Sequence, residues 1–311
     1  MPKIILPFMV LGLFVAACSG SGAPISTATV IPVQPTVLPS PTFADTEQLP
    51  HLITEIKLET QTGTSYSLDW SQDGETLAVA SGVEITLLRG DLGETIGVLK
   101  PSSGALTATW SPDKRKFATV TGLRNPTITL WDWDSTNAQL TMTQQVPAGS
   151  DQYGASWSPD GKLLATLAND RKTIIQIWDT STWELLNKFD LPYTIPRRAL
   201  NWSVDSKTIY DAGELDGQAV YFALNVEDGT VQELGNLPVE QMYVFTISPD
   251  SKSIAVADEG GKVQIFEIGS GDLLMEFQSV DTPVDLAWNP MNTTLAILGY
   301  KTALQLWEFP L

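Results

Sequence analysis

Six worn copies of one phrase, a spacing in the forties, and a strand-and-turn grammar inside each copy predict an all-β chain. The fold they predict is a six-bladed β-propeller of four-stranded antiparallel blades, its ring closed by an N-terminal strand that completes the last blade. The clearest copy is "ASWSPDGKLLATL" around Trp157. The others are "LDWSQDGETLAVA" at Trp70, "ATWSPDKRKFATV" at Trp110, "LNWSVDSKTIYDA" at Trp202, "FTISPDSKSIAVA" at Ile247 and "LAWNPMNTTLAIL" at Trp288. Their intervals are 40, 47, 45, 45 and 41 residues.

Each unit reads as four strands. Strand a alternates and ends at the Trp. The turn that follows, Ser-Pro-Asp-Gly in its fullest form, suits a chain reversal: Pro presets φ, and Asp and Gly tolerate the tight backbone. Strand b is a short apolar run such as "KLLATLA". Strand c ends in Trp-Asp or a relative: "TITLWD" to Asp132, "IIQIWD" to Asp179, "VQIFE" to Glu267 and "ALQLWE" to Glu308. Strand d follows a polar turn, as in "LLNKFD" and "LLMEFQS". The last unit begins near Pro283, and the sequence has room there for strands a, b and c only. The missing outer strand is expected at the other end, where "LITEIKLET" (Leu52 to Thr60) alternates with period two.

These units resemble WD-repeat propellers, and the Ser-Pro-Asp-Gly turns also resemble the periplasmic propeller of the bacterial Tol system. The resemblance spans about residues 52 to 311. The Gly-His dipeptide of the WD family is missing, since the one His of the chain is His51. The His-centred hydrogen-bond network of eukaryotic members is therefore not expected.

The first fifty residues differ in kind. "MPKIILPFMVLGLFVAACSG" has Lys3, an apolar run from Ile4 to Ala17, then small residues, the pattern of a signal peptide. "VAAC", Val15 to Cys18, resembles the lipobox of bacterial lipoproteins. That resemblance implies cleavage before Cys18, lipidation of its thiol, and a membrane anchor at Cys18. Pro recurs at 24, 32, 35, 39, 41 and 50 among many Ser and Thr. The expected domains are thus a signal peptide over 1–17, a lipidated Cys with a disordered linker over 18–50, and the propeller over 51–311. The expected location is the bacterial cell envelope, outside the cytoplasm.

Composition narrows the chemistry. The formal net charge is −18, which opposes nucleic acid as a partner. With one Cys and one His, no internal disulfide, Cys–His zinc site or His-dependent nucleophile is available. No metal or other cofactor is expected. The turn acids Asp73, Asp113, Asp160, Asp205 and Asp250 recur one per unit, so they are expected to cap their own turns rather than converge. The recurrent Trp residues are expected to fill the gaps between blades. Trp133 and Trp183 lie off the pattern and are expected to be more exposed.

One cluster stands apart from the repeat. The b–c and d–a loops of units 2 to 4 carry Arg124, Arg171, Lys172, Arg197 and Arg198, with Tyr193 and Tyr153 nearby. They form an expected rim for an unknown protein or an anionic envelope ligand. The reading that follows is a non-catalytic recognition scaffold. The alternative is a propeller enzyme, a lactonase-like hydrolase or lyase, with a metal or acid site at the central channel. Only Asp69 and Asp285 supply carboxylates near the channel for that alternative.

Overall fold

The computed structural model describes residues 25–27, 29–31, 50–58 and 67–309, the last span apart from 82, 91–92, 102–104, 121–125, 135, 138, 170–171, 196–199, 238–242, 280–281 and 301–302. Every regular element among them is a strand. β1 (Ile25–Thr27) and β2 (Thr29–Ile31) precede the ring, and β3 (His51–Lys57) enters it. Blade 1 holds β4 (Ser67–Trp70), β5 (Thr76–Ala80), β6 (Ile85–Arg89) and β7 (Thr95–Leu99). Blade 2 holds β8 (Thr107–Trp110), β9 (Lys116–Val120), β10 (Thr127–Asp134) and β11 (Gln139–Pro147). Blade 3 holds β12 (Asp151–Trp157), β13 (Leu163–Asn169), β14 (Thr173–Asp179) and β15 (Leu185–Leu191). Blade 4 holds β16 (Asn201–Trp202), β17 (Thr208–Leu215), β18 (Gln218–Asn225) and β19 (Thr230–Asn236). Blade 5 holds β20 (Val244–Ile247), β21 (Ser253–Ala257), β22 (Lys262–Glu267) and β23 (Leu273–Gln278). Blade 6 holds β24 (Pro283–Trp288), β25 (Thr294–Gly299) and β26 (Ala303–Glu308), and β3 is its fourth strand.

The ring closes as the sequence predicts. β3 pairs antiparallel with β26, from His51 opposite Glu308 to Lys57 opposite Ala303. That pairing covers the outer edge of the last blade and ties the first part of the ring to its last. Each blade also carries a bulge between strands c and d; in five it falls at one place in the repeat, as at Leu130/Trp131, Ile177/Trp178 and Leu306/Trp307, and in blade 4 it falls two residues earlier, at Tyr221/Phe222. A bulge increases the local twist of the strand that carries it.

The core is divided into six apolar clusters, one between each pair of neighbouring blades. Trp70, Trp110, Trp131, Trp157 and Trp178 are buried in them, while Trp202, Trp288 and Trp307 are partly buried. Trp133 and Trp183 depart from the expectation of exposed rings. Trp133 stands edge-on to Trp110 and Phe117, and Trp183 edge-on to Trp157 at 5.8 Å. Trp183 holds a left-handed backbone, φ +59°, which sets its ring over the blade 2–3 cluster. Both rings lengthen the interblade seam instead of facing solvent alone.

The segment expected to be a disordered linker contributes two described strands. β1 runs parallel to β15 on the outer edge of blade 3, and β2 runs parallel to β19 on blade 4, making both sheets five-stranded. Ile25, Thr27, Thr29, Val30 and Ile31 are β-branched, and an outer strand presents unpaired backbone groups, so short segments of this composition fit there. Cys18, the expected lipidation site, lies outside the described residues.

Candidate functional site

Five of the six a–b turns share one hydrogen-bond pattern. In each, a Ser hydroxyl donates to the Asp two residues on at 2.5–2.7 Å, from Ser71–Asp73 to Ser248–Asp250. The same Asp oxygen accepts the N–H two residues later at 3.0–3.2 Å. The Ser oxygen also accepts the first N–H of strand b at 2.9–3.0 Å. Blade 6 replaces the pair with Asn289 and Asn292, which accept from Met291 and Thr294. The Ser203 hydroxyl and the Lys207 N–H hold Asp205 below the usual carboxylate range, and Ser248 does the same for Asp250. The recurrent acids are therefore bound within their own turns.

The turn geometry demands a left-handed residue after the Asp. Gly74 and Gly161 supply it at φ +69° and +72°, but Lys114, Ser206 and Ser251 adopt φ +58° to +62° with a Cβ. Each of these three carries a penalty on the order of 1 kcal/mol.

Inside this ring of turns the ends of the strands a surround a cavity of about 270 Å³ on the propeller axis. All six blades line it. Because Pro112, Pro159, Pro249 and Pro290 are at its rim, it opens on the face that carries the a–b turns. The residue just before each anchor position faces it: Asp69, Thr109, Ser156, Asn201, Thr246 and Ala287. Asp69 and Asn201, with Asp285 two residues before Ala287, stitch one blade to the next. Asp69 Oδ2 accepts the Trp110 N–H at 2.6 Å, Asn201 Oδ1 accepts the Ile247 N–H at 3.3 Å, and Asp285 Oδ2 accepts the Leu68 N–H at 2.7 Å. The Trp70 and Trp202 indoles donate backwards, to the carbonyls of Ala287 and Ser156.

Asp69 and Asp285, the two carboxylates anticipated near the channel, are brought together from blades 1 and 6. Asp285 is buried, and its Oδ1 accepts its neighbour's N–H from Leu286. Asp69 is enclosed by protein but keeps some exposure, and it lines the cavity. Burial pushes its carboxyl up to about 7, against the lowering effect of the Trp110 N–H and the Thr109 hydroxyl; Asp285 pushes it the same way as burial. Among the described residues, no group of three or more His, Cys, Asp or Glu side chains is arranged to hold a metal ion.

Of the expected rim, Lys172, Tyr153 and Tyr193 are among the described residues. Lys172 is exposed and pairs with Asp190 at 3.4 Å. Tyr153 sits in β12, partly buried, with its carbonyl accepting from Thr107. Tyr193 is not on the surface: it is 2% exposed, stacks on Phe222 at 4.3 Å and 12°, and donates its hydroxyl to Glu233 at 2.9 Å. The reason is local. Gly213 leaves room that any Cβ would fill, 2.7 Å from the Tyr193 Cβ, so the ring folds inward over strand b of blade 4. Arg124, Arg171, Arg197 and Arg198 lie outside the described residues. The a–b turns carry basic residues of their own, Lys114, Arg115, Lys116, Lys162, Lys207 and Lys252, so positive charge is not confined to the opposite loops.

Two features escaped the sequence reading. Where WD repeats use His, blade 3 uses glutamine: Trp178 Nε1 donates to Thr166 Oγ1, which donates to Gln176 Oε1, which also accepts from Gln152 Nε2 at 2.8 Å. The pairing of Gln at strand c with Gln at the start of strand a was the available signal. In blade 4 the equivalent of Thr166 is Asp211, opposite Phe222. Its Oδ2 has no hydrogen-bond partner, and burial holds its carboxyl well above the usual range.

A family model described as eukaryotic translation initiation factor eIF2A matches residues 95–215. The β-propeller domain of Cps50 (Swd1) from Myceliophteria thermophila is similar in structure, with a TM-score of 0.57 and 17% identity over 78% of this chain and 83% of that one. No curated protein matches the chain. At that identity the structural likeness is one of fold alone. The repeat, the blade order and these likenesses give the chain the architecture of a WD-repeat-like β-propeller.

Proposed function

We propose that this chain is a recognition scaffold of the bacterial cell envelope, anchored to a membrane through lipid on Cys18 and holding its propeller outside the cytoplasm. It binds a protein or an anionic envelope ligand, not nucleic acid, and catalyses no reaction. The observation that carries this reading is the use of the repeated polar groups. The turn acids are bound to their own backbone, and the strand a side chains join neighbouring blades, so the recurrent chemistry builds a rigid ring. Rigid rings leave their loops free to vary in sequence, and loops on a rigid scaffold are where recognition residues concentrate. The anchor rests on the lipobox-like "VAAC" that ends at Cys18.

The test has two parts. Cys18→Ser is expected to move the chain from the membrane fraction to the soluble fraction and to abolish incorporation of labelled palmitate. Crosslinking of the tagged chain in intact envelopes, followed by mass spectrometry, is expected to recover one dominant partner. Replacing Arg124, Arg171, Lys172, Arg197 and Arg198 with Ser is expected to reduce that recovery at low salt; unchanged recovery removes those loops from the interface. The enzyme reading has one observation in its favour, a channel carboxyl, Asp69, poised near neutrality as a general acid or base. Lactone hydrolysis that disappears in Asp69→Asn would replace the scaffold reading.

A further inference from the structure

We infer that the axial cavity on the a–b turn face is a binding site for a primary alkylammonium group, with Asp69 as the carboxylate that receives it. The inference deepens the recognition reading by assigning a site and a chemistry to it, and rests on that reading only for which molecule delivers the group.

The charge of the lining decides the sign of the ligand. Among the described lining residues, Asp69 and Asp285 are the ionisable side chains, and both are acids. Asp285 has its oxygens engaged by the N–H groups of Leu68 and Leu286, so it acts on the cavity through its field. Asp69 reaches the cavity itself. An anion entering here meets two carboxyls and, among the described lining residues, no compensating cation; an ammonium meets two acids that attract it. The chain's net charge of −18 draws cations toward it from a distance.

The size and walls decide the shape. At about 270 Å³ the cavity is below the range of sites that enclose drug-sized ligands, and fits a single side chain or a small amine. Trp70, Trp110, Trp157, Trp202 and Trp288 also belong to its wall, together with Pro112, Pro159, Pro249 and Pro290. A partly apolar wall of this kind suits a methylene stem behind a polar head. Thr109, Ser156 and Thr246 offer hydroxyl oxygens as further acceptors for its N–H groups. A proton and an ammonium compete for the same Asp69 oxygens. With the carboxyl at about 7, binding is expected to be near its full strength at pH 8 and about tenfold weaker at pH 6.

The experiment titrates butylammonium chloride into the full chain in detergent, read by tryptophan fluorescence and calorimetry at pH 8 and pH 6. Butanol is the neutral control. Expected are saturable binding of butylammonium at pH 8, a loss of about tenfold at pH 6, no matching response to butanol, and loss of binding in Asp69→Asn. That variant keeps an oxygen to accept the Trp110 N–H. Should it not fold, as judged by circular dichroism, the pH dependence of the unaltered chain decides. Equal binding of butanol, pH-independent binding, or retained binding in folded Asp69→Asn overturns the inference. A capped Ala-Lys-Ala peptide separates the sources: if it binds as butylammonium does, a partner's lysine is the ligand, and if only butylammonium binds, the ligand is a free amine. Failure of both removes this site and leaves the envelope crosslinking test of recognition standing.

Discussion

Blades 3 and 4 are neighbours with the same strand order, yet they fill the same interior position in opposite ways. In blade 3, Thr166 on strand b faces Gln176 on strand c, and a polar chain runs from the Trp178 indole to Gln152. In blade 4, Asp211 faces Phe222, the Trp is replaced by Leu224, and Tyr193 closes over the sheet by stacking on Phe222. One blade links its buried polar groups in a chain that leaves Gln152 Oε1 and the Trp157 indole N–H unpartnered, while the other is packed with rings and retains one buried carboxyl whose Oδ2 is unpartnered. The backbone accepts both solutions because the blade is held by its ladder and its seams. The repeat thus specifies a slot, and long-range neighbours decide what fills it.

The strongest perturbation falls on the aromatic solution. Tyr193→Ala removes the ring over Phe222 and is expected to destabilise the fold by about 3–5 kcal/mol in chemical denaturation. It should therefore act on stability before it acts on any partner.

Next comes the buried acid. Asp211→Val, the residue that blades 1 and 5 carry at this register in Val79 and Val256, is expected to stabilise by about 1–3 kcal/mol at pH 8. Unfolding frees the Asp211 carboxyl to ionise above about pH 4, while the native state holds its proton to higher pH. Native stability is thus lost as pH rises through that window, and the advantage of the Val variant should shrink as pH falls toward 4. Melting curves at pH 4 and pH 8 check both the gain and its slope.

Breaking the polar solution in blade 3 is expected to have a similar or smaller effect. Gln176→Leu leaves Gln152 and Thr166 without their shared acceptor, a loss of about 1–2 kcal/mol in denaturant titration. If the losses of Gln176→Leu and Gln152→Leu measured singly add up in the double variant, the glutamines act as separate groups and the comparison weakens.

The smallest effect lies at the turns, where the two blades agree. Ser251→Gly in blade 5 relieves a left-handed φ of +58° and is expected to raise stability by roughly 0.5–1 kcal/mol, measured as a shift in midpoint. The corresponding change at Ser206 should gain less, because its hydroxyl accepts the Asp160 N–H of the blade 3 turn.

Much of the architecture was legible in single stretches of sequence. The Trp-Ser-x-Asp phrase announces the end of strand a and its turn, and the hydrogen bonds of Asp73 through Asp250 match the capping role read from their spacing. Leu52 onward was recognisable as the missing outer strand by its alternation and by the shortage at the other end. The candidate site was less legible. Tyr193 lies between two loop-like segments and reads as a rim residue; its burial depends on Gly213 and Phe222, on other strands. Asp69 and Asp285 were legible as carboxylates near the channel, but the burial of Asp69 and its bond from the Trp110 N–H depend on the neighbouring blades.

The number of blades, the four-strand order and the turn chemistry could be read from the sequence because they are written in residues close together and recur from unit to unit; the closure of the ring could be read because the last unit lacks an outer strand that Leu52 to Thr60 can supply. The tertiary structure alone decided which polar groups are satisfied, which face carries the axial cavity, and that Asp69 titrates near neutrality. Those properties depend on burial and on partners supplied by adjacent blades, some forty residues away or at the far end of the chain, and desolvation has no signature in local spacing.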